Sequence, residues 1–273
     1  MPEWAAFVGL TGFLLTALLG LARLSQGAVR SDGGVSSTVD GVSMPDGDPT
    51  IPRFETQRAA AQRRQMRETL APSDLSTGAL LANVAFTQGL FGVLVVAGAF
   101  YFEIPASAFG ITVDALSTGL PAVAIGIGAG IGFWVGNEGA AALADGFGVT
   151  FDESLRELLA PDSPGGWVIL LGGVLPVIAI VEELLFRAAA IGVPVAGLNA
   201  PAWAMAIVAS VAFALGHGAQ GRVGIVVTGT LGLALAGLFI ATNSLLAVVV
   251  AHYLVNALEL LVHEGLGVDR LWA

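Results

Sequence analysis

The chain has 273 residues, of which 55% are hydrophobic and 12% charged, and its formal net charge is −10. With a mean hydropathy of +0.82 it is too apolar for a water-soluble protein of this length, and it reads as an all-α, polytopic membrane protein. Cysteine and lysine are both absent, which excludes disulfides, thiolate metal sites and a retinal Schiff base, and leaves His, Asp, Glu and Asn as the residues that any metal would use.

About 20 mostly apolar residues are needed to cross a hydrocarbon core of roughly 30 Å. Seven stretches reach that length, at 4–24, 77–102, 116–137, 168–193, 200–218, 223–242 and 244–264. The first has no basic leader and no A-x-A site, so it is expected to stay as a signal anchor. Residues 25–76 open as a Gly, Ser and Asp rich linker and close with RFETQRAAAQRRQMRETLAP, whose five arginines suit a cytoplasmic amphipathic helix. Residues 77–145 are read as accessory spans, 165–264 as a carboxy-terminal core and 265–273 as a tail.

Arginines beside span ends favour the cytoplasm, which places the N-terminus outside and the Arg-rich loop and C-terminus inside. Arg156, Arg222 and Arg270 fall inside on the same count, and Arg187 is the exception. The acidic excess lies mostly in loops and tails, where a solvated surface accounts for it, and no basic footprint for nucleic acid is present. In AIGIGAGIGFWVG the pairs Gly126 and Gly130, Gly128 and Gly132, and Gly132 and Gly136 each fit G-x-x-x-G and predict close helix packing. A phosphate-cradling loop would need a strand before it, and none is expected.

The fourth span contains VEELLFR, where Glu182, Glu183 and Arg187 interrupt an apolar run. Each ionisable side chain at the bilayer centre costs about 2.5–3.5 kcal/mol on insertion scales, so three within six residues require partners or water. Glu183 and Arg187 are four apart and share a helix face, which suits a charge-balanced pair. Glu182 points about 100° away and is left to another task. Phe213 and His217 are again four apart at the end of the fifth span, and His252 and Asn256 in the middle of the last. A lone core histidine is usually a packing residue. Two histidines, an asparagine and a glutamate on three helices of one bundle point instead to a shared site. His263, beside Glu264 at the end of the last span, reads as an interfacial residue.

EELLFR (Glu182 to Arg187), FALGH (Phe213 to His217) and HYLVN (His252 to Asn256) resemble, in order and spacing, the E-E-x-x-x-R, F-x-x-x-H and H-x-x-x-N motifs of the CPBP intramembrane proteases. That group, also called the Abi family, includes the type II CAAX prenyl endopeptidases. The resemblance covers roughly residues 165–264. It implies an endopeptidase that cuts a peptide bond of a membrane-associated or lipidated substrate near the bilayer. Carried over residue by residue, it implies that Glu182 and His217 bind and activate water, that His252 and Asn256 bind a metal or stabilise the oxyanion, and that Glu183 and Arg187, with Phe213, support them.

The resemblance leaves open a zinc held by Glu182, His217 and His252 and a metal-free, glutamate-activated water. A His2Glu set is a sound catalytic zinc site, and with Glu182 as ligand Glu183 would be the nearby carboxylate left to act as base. Amide hydrolysis needs a base, oxyanion donors and restricted water, all of which these residue types supply. Two readings from other classes stand beside it: a proton or ion transporter, which would also bury Glu, His and Arg in a bundle, and a non-catalytic scaffold or immunity protein of the same fold. Glu182 sits mid-span while His217 ends its own span, so the two meet if one helix is shifted, with Pro176 as the expected kink.

Overall fold

The computed structural model describes residues 1–33, 77–146, 156 and 159–268. Among these it is a bundle of helices without a strand: α1 (Trp4–Gly33), α2 (Thr77–Tyr101), α3 (Leu120–Gly146), α4 (Pro164–Leu198), α5 (Ala202–Gly216), α6 (Gly221–Thr242) and α7 (Leu245–Gly265). The Arg-rich segment expected as an amphipathic helix, and Arg270 in the tail, lie outside the described residues. The linker expected from residue 25 begins later, because α1 runs on to Gly33. After Pro2 no proline occurs before Pro45, so nothing in the chain forces the helix to stop at the end of its apolar part.

Six of these helices are long and apolar enough to cross a membrane, whereas α5 has 15 residues. Pro201 precedes its first turn and His217 follows its last, with a tight turn at Gly218–Gln220 beyond. At 1.5 Å per residue α5 rises about 22 Å, short of the roughly 30 Å core. Its depth is fixed by α1: Trp4 packs on Gly197 just before α5 begins, and Leu18 and Leu19 pack on Gly216 where it ends. The apolar part of α1 continues to Leu24, about 8 Å further along the axis. His217, which follows the last turn of α5, therefore lies short of the end of the apolar part of α1, and it lines the same cavity as Glu182. Irregular backbone at such depth is tolerated where it lines a cavity, and Gln220 of the turn does line one.

Two π-helical stretches, Leu170–Val174 and Leu184–Gly192, interrupt α4, each followed within two residues by a proline, Pro176 and Pro194. A proline has no N–H and its ring crowds the carbonyl one turn back. The wider i→i+5 turn before it takes up that conflict, so α4 stays continuous through both prolines. Glu182 and Glu183 end the α-helical piece between the stretches, and Arg187 lies inside the second.

Helix α7 is seated by Ser244, which accepts the N–H of Ala247 and donates from Oγ to the carbonyl of Ser117 at 2.6 Å. Along α7 the partner is α3. A methyl group at Gly126 would lie 2.6 Å from the carbonyl oxygen of Ala247, and one at Gly130 would lie 2.9 Å from that of Ala251. Gly128, Gly132 and Gly136 face open space, so of the three glycine pairs only the first forms a packing groove. That groove brings the backbone before His252 against α3. Elsewhere Phe7 meets Phe102 and Phe109 edge to face, while Phe13, Phe86, Phe100 and Leu120 point outward, as suits a surface solvated by lipid.

Candidate functional site

The three charges of α4 are all buried. Glu183 and Arg187 are 0% and 1% exposed, and Arg187 donates from one guanidinium nitrogen to Glu183 Oε1 at 2.8 Å. Its other terminal nitrogen donates to the carbonyl of Gly232 at 3.1 Å, and its guanidinium carbon lies 4.6 Å from the centre of the Phe213 ring. The spacing of four that suggested a pair thus gives one, and α5 and α6 close around the cation. Glu182, 8% exposed, turns the other way and lines a cavity of about 430 Å³.

His252, 2% exposed on α7, joins the two carboxylates. Its Nδ1 is 2.6 Å from Glu183 Oε1, and because a carboxylate only accepts, this nitrogen carries the proton. Its Nε2 then faces Glu182 Oε2 at 3.7 Å, too far for a direct hydrogen bond and near enough for one water to reach both. His217 is held in the same manner, with Nδ1 donating to the carbonyl of Phe213 at 2.8 Å and Nε2 left for the cavity that it lines. Phe213 is the wedge between them, its ring centre 4.5 Å from that of His217 and 5.9 Å from that of His252. Asn256, one turn beyond His252, lines the same cavity.

The structure therefore brings Glu182, His217, His252 and Asn256 to one cavity, with Phe213 in its wall and Glu183 and Arg187 behind them. It also adds residues that the sequence did not single out. Gln88 of α2 lines the cavity and donates from Nε2 to Glu182 Oε1 at 3.0 Å. Asn137, Arg156, Gln220, Thr228 and Glu259 complete its polar lining. A glutamine in an apolar run carries no periodic or spacing signal of its own. The one available clue was that a mid-span amide is itself an unusual polar group in a membrane helix.

His263, expected at the membrane surface, is buried at 8% exposure. Its Nδ1 donates to the carbonyl of Val268 at 2.8 Å and its Nε2 lies 3.0 Å from Glu138 Oε1, on α3. The difference arises because α3 extends to Gly146, a turn or more past the expected end, and so carries Glu138 alongside the end of α7. Arg156 adds contacts to Glu259 at 3.0 Å and to Glu264 at 2.6 Å. Among the described residues, Glu138, Glu259 and His263 are the group of three potential ligands whose donor atoms lie within 4.8 Å of one another. Glu182, His217 and His252 are spread more widely around their cavity.

Residues 164–258 match the family model described as Rce1-like, type II CAAX prenyl endopeptidase Rce1-like. This stretch is similar to that family. The Rce1-like stretch covers about a third of the chain and contains Glu182, Glu183, Arg187, Phe213, His217, His252 and Asn256, whereas Gln88, Asn137, Arg156 and Glu259 lie outside it. No curated protein and no solved structure matches the chain.

Proposed function

We propose that the protein is a multi-pass intramembrane endopeptidase that hydrolyses a peptide bond of a membrane-associated or lipidated substrate in the cavity lined by Glu182, His217, His252 and Asn256. The observation that carries this reading is the unequal treatment of two adjacent carboxylates. Glu183 is fully buried and its Oε1 holds both Arg187 and His252. Glu182 opens on the cavity and faces His252 Nε2 across 3.7 Å. A structural ion pair accounts for the first glutamate and leaves the second without a structural task.

On this reading a water bridges Glu182 Oε2 and His252 Nε2. Glu182 takes one proton as the water oxygen attacks the carbonyl carbon, the second water hydrogen stays on that oxygen, and the new oxyanion receives a hydrogen bond from the Asn256 amide. The carbon–nitrogen bond then breaks, and Glu182 returns its proton to the leaving amine. His217 Nε2 takes over from His252 Nε2 as acceptor of the second water hydrogen as the water turns towards the carbonyl, and keeps it aimed there. Glu183 and Arg187 hold His252 in one ring orientation, the task that a buried carboxylate performs for a catalytic imidazole.

Zinc would be held by Glu182 and by the Nε2 atoms of His217 and His252 only if these drew closer than their present spread, and their Nδ1 atoms are already engaged by a carbonyl and a carboxylate. A bound zinc would supply a more acidic water. Elemental analysis of active protein decides this point, and full activity with no stoichiometric metal removes zinc from the scheme.

The test of the whole reading uses the full chain in phosphatidylcholine and phosphatidylglycerol vesicles with a fluorogenic peptide anchored by an isoprenoid thioether. Glu182→Gln and His217→Ala should each lose cleavage while remaining folded and inserted. Retained cleavage in either removes the catalytic assignment, and proton or ion flux without cleavage by the wild type would favour a transporter.

A further inference from the structure

Gln88 lies on α2, 94 residues before its partner and outside the Rce1-like stretch, yet it makes the closest polar contact to the cavity-facing glutamate, donating from Nε2 to Glu182 Oε1 at 3.0 Å. Its own carbonyl oxygen is buried and has no hydrogen-bond partner. Turning the amide over would not help, because Glu182 accepts and cannot donate while ionised. A buried acceptor left unsatisfied is costly, and a leucine of similar volume would remove that cost together with the amide. Native proteins keep such a group where it has another use. The close fit of α2 on α4 indicates what that use is: one turn after Gln88, a methyl at Gly92 would lie 2.8 Å from Val181, the neighbour of Glu182. The amide is thus delivered to the carboxylate on a rigid mount.

We infer, resting on the protease reading above, that Gln88 is a positioning residue that fixes the rotation of the Glu182 carboxylate. With Oε1 tied to α2, Oε2 is the oxygen directed at the space in front of His252 Nε2, and the two oxygens of one side chain have separate tasks. The other charged groups near Glu182 do not supply this restraint. Glu183 and Arg187 point away on α4 and bond each other, His252 of α7 stands off at 3.7 Å, and Arg156 and Glu259 bond to each other in the same cavity. The first span pair therefore contributes to the site, although the family motifs lie wholly in the later helices.

The test is Gln88→Leu in the full-length protein, with Gln88→Asn as a second variant that keeps the amide but shortens its reach. In the vesicle assay kcat should fall at least tenfold for both variants and KM should stay within twofold, because substrate binding is untouched. The melting temperature of Gln88→Leu should equal or exceed that of the wild type. A lower melting temperature with unchanged kcat would make Gln88 an ordinary packing residue and overturn the inference, as would a tenfold rise in KM with kcat unchanged, which would make it a substrate contact. A crystal structure of Gln88→Leu decides the matter independently of activity. A Glu182 carboxylate rotated from its present position supports the inference, an unmoved one refutes it, and failure of the wild type to cut any peptide would count against the protease reading alone.

Discussion

Replacing Arg187 by methionine keeps most of the side-chain volume and removes the cation from a fully buried charge pair. Three contacts go at once: the 2.8 Å bond to Glu183, the 3.1 Å bond to the Gly232 carbonyl, and the position 4.6 Å from the Phe213 ring centre. A hydrogen bond to a charged group contributes about 1.5–3 kcal/mol and a desolvated cation–π contact about 2 kcal/mol. Glu183 then keeps His252 on Oε1, while its Oε2 has no hydrogen bond to compensate. Two such bonds and the ring contact come to about 5–8 kcal/mol before relaxation, and the net loss expected is the 3–5 kcal/mol typical of breaking a buried pair from one side. Ordinary neutral hydrogen bonds between membrane helices average about 0.6 kcal/mol, so the two cases are well separated. The loss is measured by unfolding in mixed micelles with increasing dodecyl sulfate, followed by tryptophan fluorescence and circular dichroism. The double variant Glu183→Gln with Arg187→Met should recover at least half of it, since no buried charge remains alone. A single-variant loss under about 1 kcal/mol would refute the argument that α4 carries a coupled buried pair.

Three further outcomes are expected. Gly130→Val should destabilise the protein by about 1–3 kcal/mol through overpacking, because its β-carbon would sit 2.9 Å from both the Ala251 carbonyl and Leu254, whereas Gly128→Val, facing open space, should be neutral in the same unfolding assay; equal effects would dismiss the α3–α7 groove. Glu138→Gln should cost about 1–3 kcal/mol by weakening the bond to buried His263, with kcat unchanged per folded molecule, and a change in kcat would connect that cluster to the chemistry. Asn256→Ala should lower kcat about 10²–10³-fold, the usual cost of one oxyanion donor, with little effect on melting temperature, and a loss confined to KM would reassign the residue to substrate binding.

The helical membrane fold was legible because a run of about 20 apolar residues has few alternatives. The grouping of the candidate residues was legible from spacing: Glu183 with Arg187, Phe213 with His217 and His252 with Asn256 are each four apart, and one helical turn places Glu183 against Arg187 and Phe213 against His217. What the sequence hid were features set by how helices meet. The depth of α5 depends on where α1 holds its ends, and hydropathy does not register that 15 helical residues stop short. His263 looked interfacial because its partner Glu138 is 125 positions away in the chain. Gln88 escaped for the same reason. Pro176 was expected to bend α4, and the π-helical stretch before it, which takes up the missing donor, carried no signal in the sequence. Each of these turns on a contact between distant segments, to which local periodicity is blind.

Under the proposed function the shortness of α5 has a consequence for what the protein would select. Helix α1 runs on as apolar helix to Leu24, about 8 Å of rise past Leu19, which packs on Gly216 beside His217, and an extended chain advances about 3.3 Å per residue. A substrate entering from that side would spend two or three residues as a stem before its scissile bond reached His217. On that reading the fold is a depth gauge, which would sort substrates by the distance between their anchor and their cleavage point more than by the side chains they carry.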